Sequence, residues 1–462
     1  MRPSLLAGAL LWAAAYPAPA DIYYVAPGGL DTNPGTEAKP WRTIGKAADT
    51  LVAGDTVSIK AGTYSERVVP QASGSAGNLI TYAAYPGHAV TIDGTGVPIP
   101  AGWGGLFEIS SRSYIQVSGL RICDAGPDDN HAGILVEDSS YVTIEGNVTY
   151  NTASSGIGVW SSDHIVVADN EVELACNDGE QECITIAGTD VFEVRDNWVH
   201  HGGPGTIGGE GIDVKDGSSN GIVHGNRVES LNRLGIYVDA WAKHTYHIDV
   251  YQNTVSNCAA GGFAVAAEAG GLLENVRIYN NVAFNNKWVG LTVAGWGEPV
   301  ASHPIQDLTV INNTFHANGW SVWGGGISVE NPDAVGVVLR NNIVSQNLWF
   351  QIQVDGGVPM PTIDNNLIDG FRGEEPGETR GSEYEEGDPG FENPAAADYH
   401  LTEGSPAINT GSEVAAPADD FDGTPRPQGS GVDMGAFEFA PGLIFADGFE
   451  SGNVARWSSS VP

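Results

Sequence analysis

Through the middle of the chain, apolar and polar residues alternate in short runs such as "YVTIEGNVT", "HIVVADNEV", "FEVRDNWV", "VRIYNNVAF" and "VVLRNNIV". A period of two over such lengths predicts β-strands with one buried face. Each run ends at an Asn, at positions 147, 170, 197, 226, 253, 281, 313, 342 and 366. The mean spacing is about 27 residues, in the range of solenoid repeats. A second set of strands starts at Gly: Gly133-Ile134-Leu135-Val136, Gly156-Ile157-Gly158-Val159, Gly211-Ile212-Asp213-Val214, Gly235-Ile236-Tyr237-Val238, Gly290-Leu291-Thr292-Val293 and Gly326-Ile327-Ser328-Val329. The pattern predicts coils of at least two strands, stacked about 4.8 Å apart as a parallel β-helix. Nine or more coils follow from the repeat count. The repeated Asn residues are read as corner formers, able to ladder along the axis and to take up left-handed backbone, not as catalysts.

Helical readings fail because Gly and Asn interrupt every candidate segment except "WRTIGKAADTL", Trp41 to Leu51. An amphipathic helix there would cap the open end of the solenoid. A β-sandwich would need hairpin turns instead of a unit that returns at a fixed period.

Composition then narrows the setting. The chain opens with Arg2, an apolar run from Leu5 to Ala15 and Ala18-Pro19-Ala20, the pattern of a secretory signal peptide that leaves Asp21 as the mature start. The protein is therefore expected to be secreted and extracellular, without a membrane span. The formal net charge of −37 disfavours nucleic acid and anionic lipid as partners. It also disfavours polyanionic sugars unless Ca²⁺ or a local basic patch intervenes. Cys176 and Cys183 bracket a short acidic loop and are expected to form a disulfide, whereas Cys123 and Cys258 are expected inside the coils.

The segment "YYVAPGGLDTNPGTEAKPWRTIGKAADTLVAGDTVSIKAGTY", continued by "NLITYAAYPGHAVTIDG", resembles the opening of secreted proteins related to the family 9 pectate lyases and to β-helix glycoside hydrolases. That resemblance implies an all-β, right-handed parallel β-helix, a pectate-lyase-like solenoid acting on polysaccharide. "DPGF", "DYHLTEGSPAINTG", "DFDGTPRP" and "VDMGAFEF" resemble the closing segment of exported bacterial β-helix proteins, expected to cover the C-terminal end. The organisation expected is a leader (1–20), an N-terminal cap with first coils (21–94), the β-helix (95–370), an acidic loop and cover (371–440) and a tail of no assigned role (441–462).

With the aliphatic residues of each Gly-initiated strand pointing inward, the intervening positions form two outward columns. Most entries are plain. Neighbouring coils, however, bring Asp213, Lys215, Tyr237, Asp239, Trp241, Glu268 and Trp296 to one patch, with Glu330 further along. Aromatic faces stack on sugar C–H surfaces, and carboxylates bind hydroxyls or move protons. Asp239 and Glu268 lie one coil and two residues apart, which sets their Cα atoms about 8 Å from each other. Their carboxyls thus fall within reach of the ~5–9.5 Å separations of glycosidase pairs. Glu268, after the apolar "GGFAVAA", is expected to be the buried acid and Asp239 the nucleophile or base. Tyr237, Trp241, Trp296 and Glu330 would bind substrate.

A rival chemistry comes from the family resemblance. "GEGIDVKDGSSN" is similar to the first part of the family 9 lyase site, which implies Asp213 and Asp216 as Ca²⁺ ligands and Lys215 as the base. The next coil reads "LNRLGIYVDAW" and lacks that family's dense Asp run. Lys215 is alternatively a salt-bridge partner of Asp239. Three readings stand: a glycoside hydrolase requiring no cofactor, a Ca²⁺-dependent polysaccharide lyase, and a non-catalytic carbohydrate-binding protein. In each the partner is a polysaccharide or oligosaccharide and the chain is expected to be a monomer.

Overall fold

The computed structural model describes residues 20–177, 179–204, 208–320 and 323–440. The expected leader, save its last residue, and the 441–462 tail lie outside the described residues.

The chain winds into a parallel β-solenoid whose flanks are three parallel sheets of 14, 13 and 10 strands. Each full coil contributes one strand to each sheet, as Ser140–Glu145, Val148–Tyr150 and Ile157–Trp160 do in turn. The second of these strands is only three residues long, too short to establish a period, so the sequence pattern marks only two of the three strands in each coil. Inside, like residues stack in register. Ile157, Ile184, Ile212, Ile236, Phe263, Leu291, Ile327 and Ile352 form one continuous buried column. No helix among the described residues is long and apolar enough to cross a membrane.

The Asn repeat forms a ladder. The Oδ1 of Asn170 accepts both the backbone N–H and the Nδ2–H of Asn147, at 3.0 and 3.1 Å. The same pair of bonds repeats through Asn197, Asn226, Asn253, Asn281, Asn313, Asn342 and Asn366. The left-handed backbone belongs not to these residues but to the one before each. Gly146, Asp169, Asp196, Gly225, Gln252, Asn280, Asn312, Asn341 and Asn365 all have φ between 51° and 64°. The ladder Asn therefore supplies its side chain to the corner while its predecessor absorbs the bend. A second, shorter ladder runs from Cys258 N–H through Asn286 and Asn318 to Asn347.

The N-terminal helix is shorter than expected, Ile44–Ala48, with Thr43 as its N-cap. Trp41 instead bridges Val25 as extended chain and stacks on Tyr23. At the other end, part of the acidic loop lies over the last coil. Glu385–Glu386 pairs with Leu367–Ile368, and Glu378 accepts the Gln351 N–H. The closing segment folds back along the flank, where backbone oxygens of Asp419, Asp420 and Asp433 accept side-chain N–H groups of Asn280, Gln252 and Asn312. All four cysteines are buried. The thiols of Cys176 and Cys183, the pair expected to be bonded, lie against each other.

Candidate active site

The ten-stranded sheet carries the site. Its register sets Gly158, Thr185, Asp213, Tyr237, Ala264, Thr292 and Ser328 in one outward column. Trp160, Ala187 and Lys215 align in the second, and Asp239 opposes Ala266 there. Outward does not mean exposed. Loops before each strand wall the columns in, leaving Asp213 and Asp239 only 2% and 3% accessible. The cleft, open to solvent on one side, holds about 490 Å³ and is lined by Lys215, Asp216, Tyr237, Trp241 and Glu268 as well as these two.

Three of the charged groups that line it come from loops and are absent from the columns read in the sequence. Glu182 and Glu210 stand three residues before Thr185 and Asp213, and Arg233 lies in the next such loop. Glu182 accepts a 2.6 Å bond from Lys215 Nζ and a 2.8 Å bond from Thr185 Oγ1. Arg233 Nε donates to Glu210 at 2.9 Å. Lys215 Nζ also lies 4.0 Å from Asp213 Oδ2. Burial alone would lower the Lys215 pKa, but Glu182 and Asp213 outweigh it and hold the ammonium protonated. Lys215 therefore pairs with Glu182, not with Asp239, and is a fixed cation. Trp160 closes one end of the cleft, folded over Gly158, where a Cβ would lie 2.0 Å from the ring.

The two carboxylates of the expected pair exchange characters. Asp239 ends its strand, and its Oδ1 accepts the Trp241 N–H at 2.7 Å. Burial raises its pKa to about 7; Lys215 opposes the rise and Glu268 adds to it. Glu268 sits in a turn just past its strand and is half-buried, so it is not the buried acid. Its Oε1 accepts the phenol hydroxyl of Tyr237, whose oxygen in turn accepts Trp296 Nε1–H at 3.3 Å. Burial, Asp239 and Glu268 hold that phenol protonated. Asp213, one coil before Tyr237, is raised well above the carboxylate range by burial and by Glu182 and Asp239. Its Oδ1 has no hydrogen-bond partner. Trp241 borders the cleft, while Glu330 lies in a neighbouring hollow that Trp296 also lines.

Asp213 and Asp216 do not fit a shared Ca²⁺. Asp216 Oδ1 accepts the N–H groups of Ala242 and Lys243, and its Oδ2 is 3.1 Å from Lys243 Nζ. Neither residue belongs to a group of three or more candidate ligands among the described residues. Ca²⁺ takes six to eight oxygens, and an ammonium already sits beside Asp213.

These features define a parallel β-helix with an acidic cleft on one flank. The chain belongs to the family described as Pel9A-like, right handed beta helix region, whose model matches residues 23–294 and so spans the cleft. It is 26% identical over 358 residues to the uncharacterized protein YwoF of Bacillus subtilis (strain 168), covering 71% of this chain and 74% of that protein. It is 31% identical over 172 residues to pectate lyase PEL9 of Emericella nidulans, covering 34% of this chain and 40% of that one. Two solved structures share the fold. Pectate lyase Pel9A aligns with a TM-score of 0.55 and 18% identity over 90% of this chain and 96% of its own. XylC in complex with xylose aligns at 0.58 and 14% identity over 91% and 99%.

Proposed function

We propose that the protein is an exported carbohydrate-active enzyme that hydrolyses glycosidic bonds, with Asp239 as general acid and Glu268 as the partner carboxylate. The observation that carries this reading is the contrast between them. Asp239 is buried with a pKa near neutrality, while Glu268 is half-exposed and held by Tyr237. An acid is most effective when its pKa lies near the working pH, which suits Asp239 to the role. Asp239 would give its proton to the glycosidic oxygen as the bond to the anomeric carbon breaks. Glu268 would attack that carbon or deprotonate the water that does, and the net reaction adds one water across the bond. Export is supported by the leader pattern at the start of the chain. The proposed hydrolysis needs no cofactor.

The family match favours a second reading, β-elimination with Lys215 as the base. Its ion pair with Glu182 speaks against this, because a protonated ammonium takes up no proton. Product analysis on a polysaccharide panel separates the readings. The hydrolase yields new reducing ends, with no absorbance from unsaturated uronates, and keeps its activity in chelator. A lyase gives the unsaturated product and loses activity in chelator, and a binding module gives no product at all.

A further inference from the structure

We infer that the cleft takes an uncharged sugar chain and rejects uronates, and that this chain continues over a tryptophan-lined hollow beside the acid pair. The inference rests on reading the cleft as a sugar site and adds the substrate class and its direction.

A uronate needs a cation free to meet its carboxylate. The cleft has three cations among its described lining residues, and each already has a carboxylate partner within the lining. Lys215 is bound to Glu182 at 2.6 Å, Arg233 to Glu210 at 2.9 Å and Lys243 to Asp216 at 3.1 Å. Glu180, Asp239 and Glu268 add further acid to the same lining. A polyanionic chain would meet an excess of like charge with no unpaired partner.

The adjoining hollow holds about 550 Å³ and contains Trp288, Trp296 and Trp323, with Glu330 and Asp355 and no cation among its described lining residues. Trp288 and Trp296 are 46% and 37% exposed, large aromatic surface that a sugar ring would cover. Ser328 Oγ donates to Glu330 at 2.7 Å, so the carboxylate is fixed as an acceptor for sugar hydroxyls. The hollow adjoins the acid pair across a shared wall. Trp296 lines it and bonds Tyr237, which bonds Glu268. Thr292 in the hollow stands two coils beyond Tyr237 in the same column, about 10 Å along the axis. A linear chain held at the pair thus runs toward the C-terminal coils.

The test is calorimetric titration of the full-length protein with neutral hexose and pentose oligomers and with oligogalacturonate and oligomannuronate of equal length, each in chelator and in Ca²⁺. Neutral oligomers are expected to bind at least about tenfold more tightly than uronates in both buffers. Trp288→Ala should weaken long neutral oligomers by about tenfold or more and leave disaccharides unchanged, whereas Trp288→Tyr, which keeps a stacking face, should retain most affinity. Asp355→Lys combined with Glu330→Gln puts a cation in the hollow without a lining carboxylate beside it and should raise uronate affinity. Equal or tighter uronate binding in either buffer overturns the inference, as does the absence of binding by any neutral oligomer. Neutral oligomers that bind but are never cleaved would uphold the substrate class and sink the hydrolase reading instead.

Discussion

Lys215 Nζ lies 2.6 Å from Glu182 Oε1 across one coil step, with the side chains only 19% and 8% exposed. Breaking a buried pair costs more than the pair contributes, because it strands the remaining charge. Lys215→Met should destabilise the protein by about 3–5 kcal/mol, and Lys215→Met with Glu182→Gln should recover part of that loss. Denaturant unfolding measures both. A Lys215→Met protein of unchanged stability would mean that the pair does not hold the cleft together.

Asp239→Asn preserves the acceptor for the Trp241 N–H and removes the transferable proton. Turnover should fall by about 10²–10⁴-fold while sugar affinity changes little. Under the proposed hydrolase reading, activity of the parent protein should fall as pH rises through about 7, where Asp239 gives up its proton. A pH–rate profile flat across neutrality would remove Asp239 from the acid role.

The same group makes stability depend on pH. Its folded pKa lies above the ordinary carboxylate value of 3.8, so the folded state holds a proton that the unfolded chain releases. Its stabilising contribution is complete below about pH 4 and is lost as pH rises through about 7. Asp239→Asn should therefore melt higher than the parent above pH 7, with the gap closing toward pH 4. Thermal melts across that range give the comparison, and a gap that widens on acidification contradicts the sign.

Tyr237→Phe keeps the ring in its apolar surroundings of Leu234, Ala264, Ala266 and Ala294 but deletes the hydroxyl that holds Glu268. A hydrogen bond contributes about 0.5–1.5 kcal/mol net, so activity read well below the melt should drop by roughly 2–10-fold, while the melting temperature falls by no more than a few degrees. Steady-state kinetics beside a melt test this, and full activity in the variant would show that Glu268 does not need the phenol.

Asn226→Ala, in the middle of the ladder, strips partners from Asn197 and Asn253 on either side. Each buried polar group left unsatisfied costs about 1–3 kcal/mol. The substitution should lower stability by several times the cost of the exposed change Thr362→Ala, as read by urea midpoints.

The fold and the columns were legible because two periods act together. A side-chain period of two fixes which residues face out, and the coil step fixes which of them stack. Asp213 beside Tyr237 and Asp239 beside Ala266 follow from those periods alone. The walls of the cleft were hidden because Glu182, Glu210 and Arg233 stand in loops between strands, where no alternation marks a side chain's direction. Their one signal is the fixed offset of Glu182 and Glu210 from the following strand. The burial of the two carboxylates differs from the expectation for a local reason. Glu268 follows an apolar run but falls where the chain leaves the sheet, whereas Asp239 is still within it. The helix shortened because Trp41 pairs with Val25 as extended chain.

Successive rungs of the asparagine ladder are separated by 23 to 32 residues, yet every rung makes the same two bonds. The differences in length are taken up mainly in the loops, with strand lengths changing by a residue or so along most of the sheet. Cleft walls therefore can be lengthened, trimmed or exchanged without shifting any strand from its neighbour. Such a molecule can alter what it recognises by editing a few connecting residues, and gain or lose reach by whole coils, while its interior stays the same.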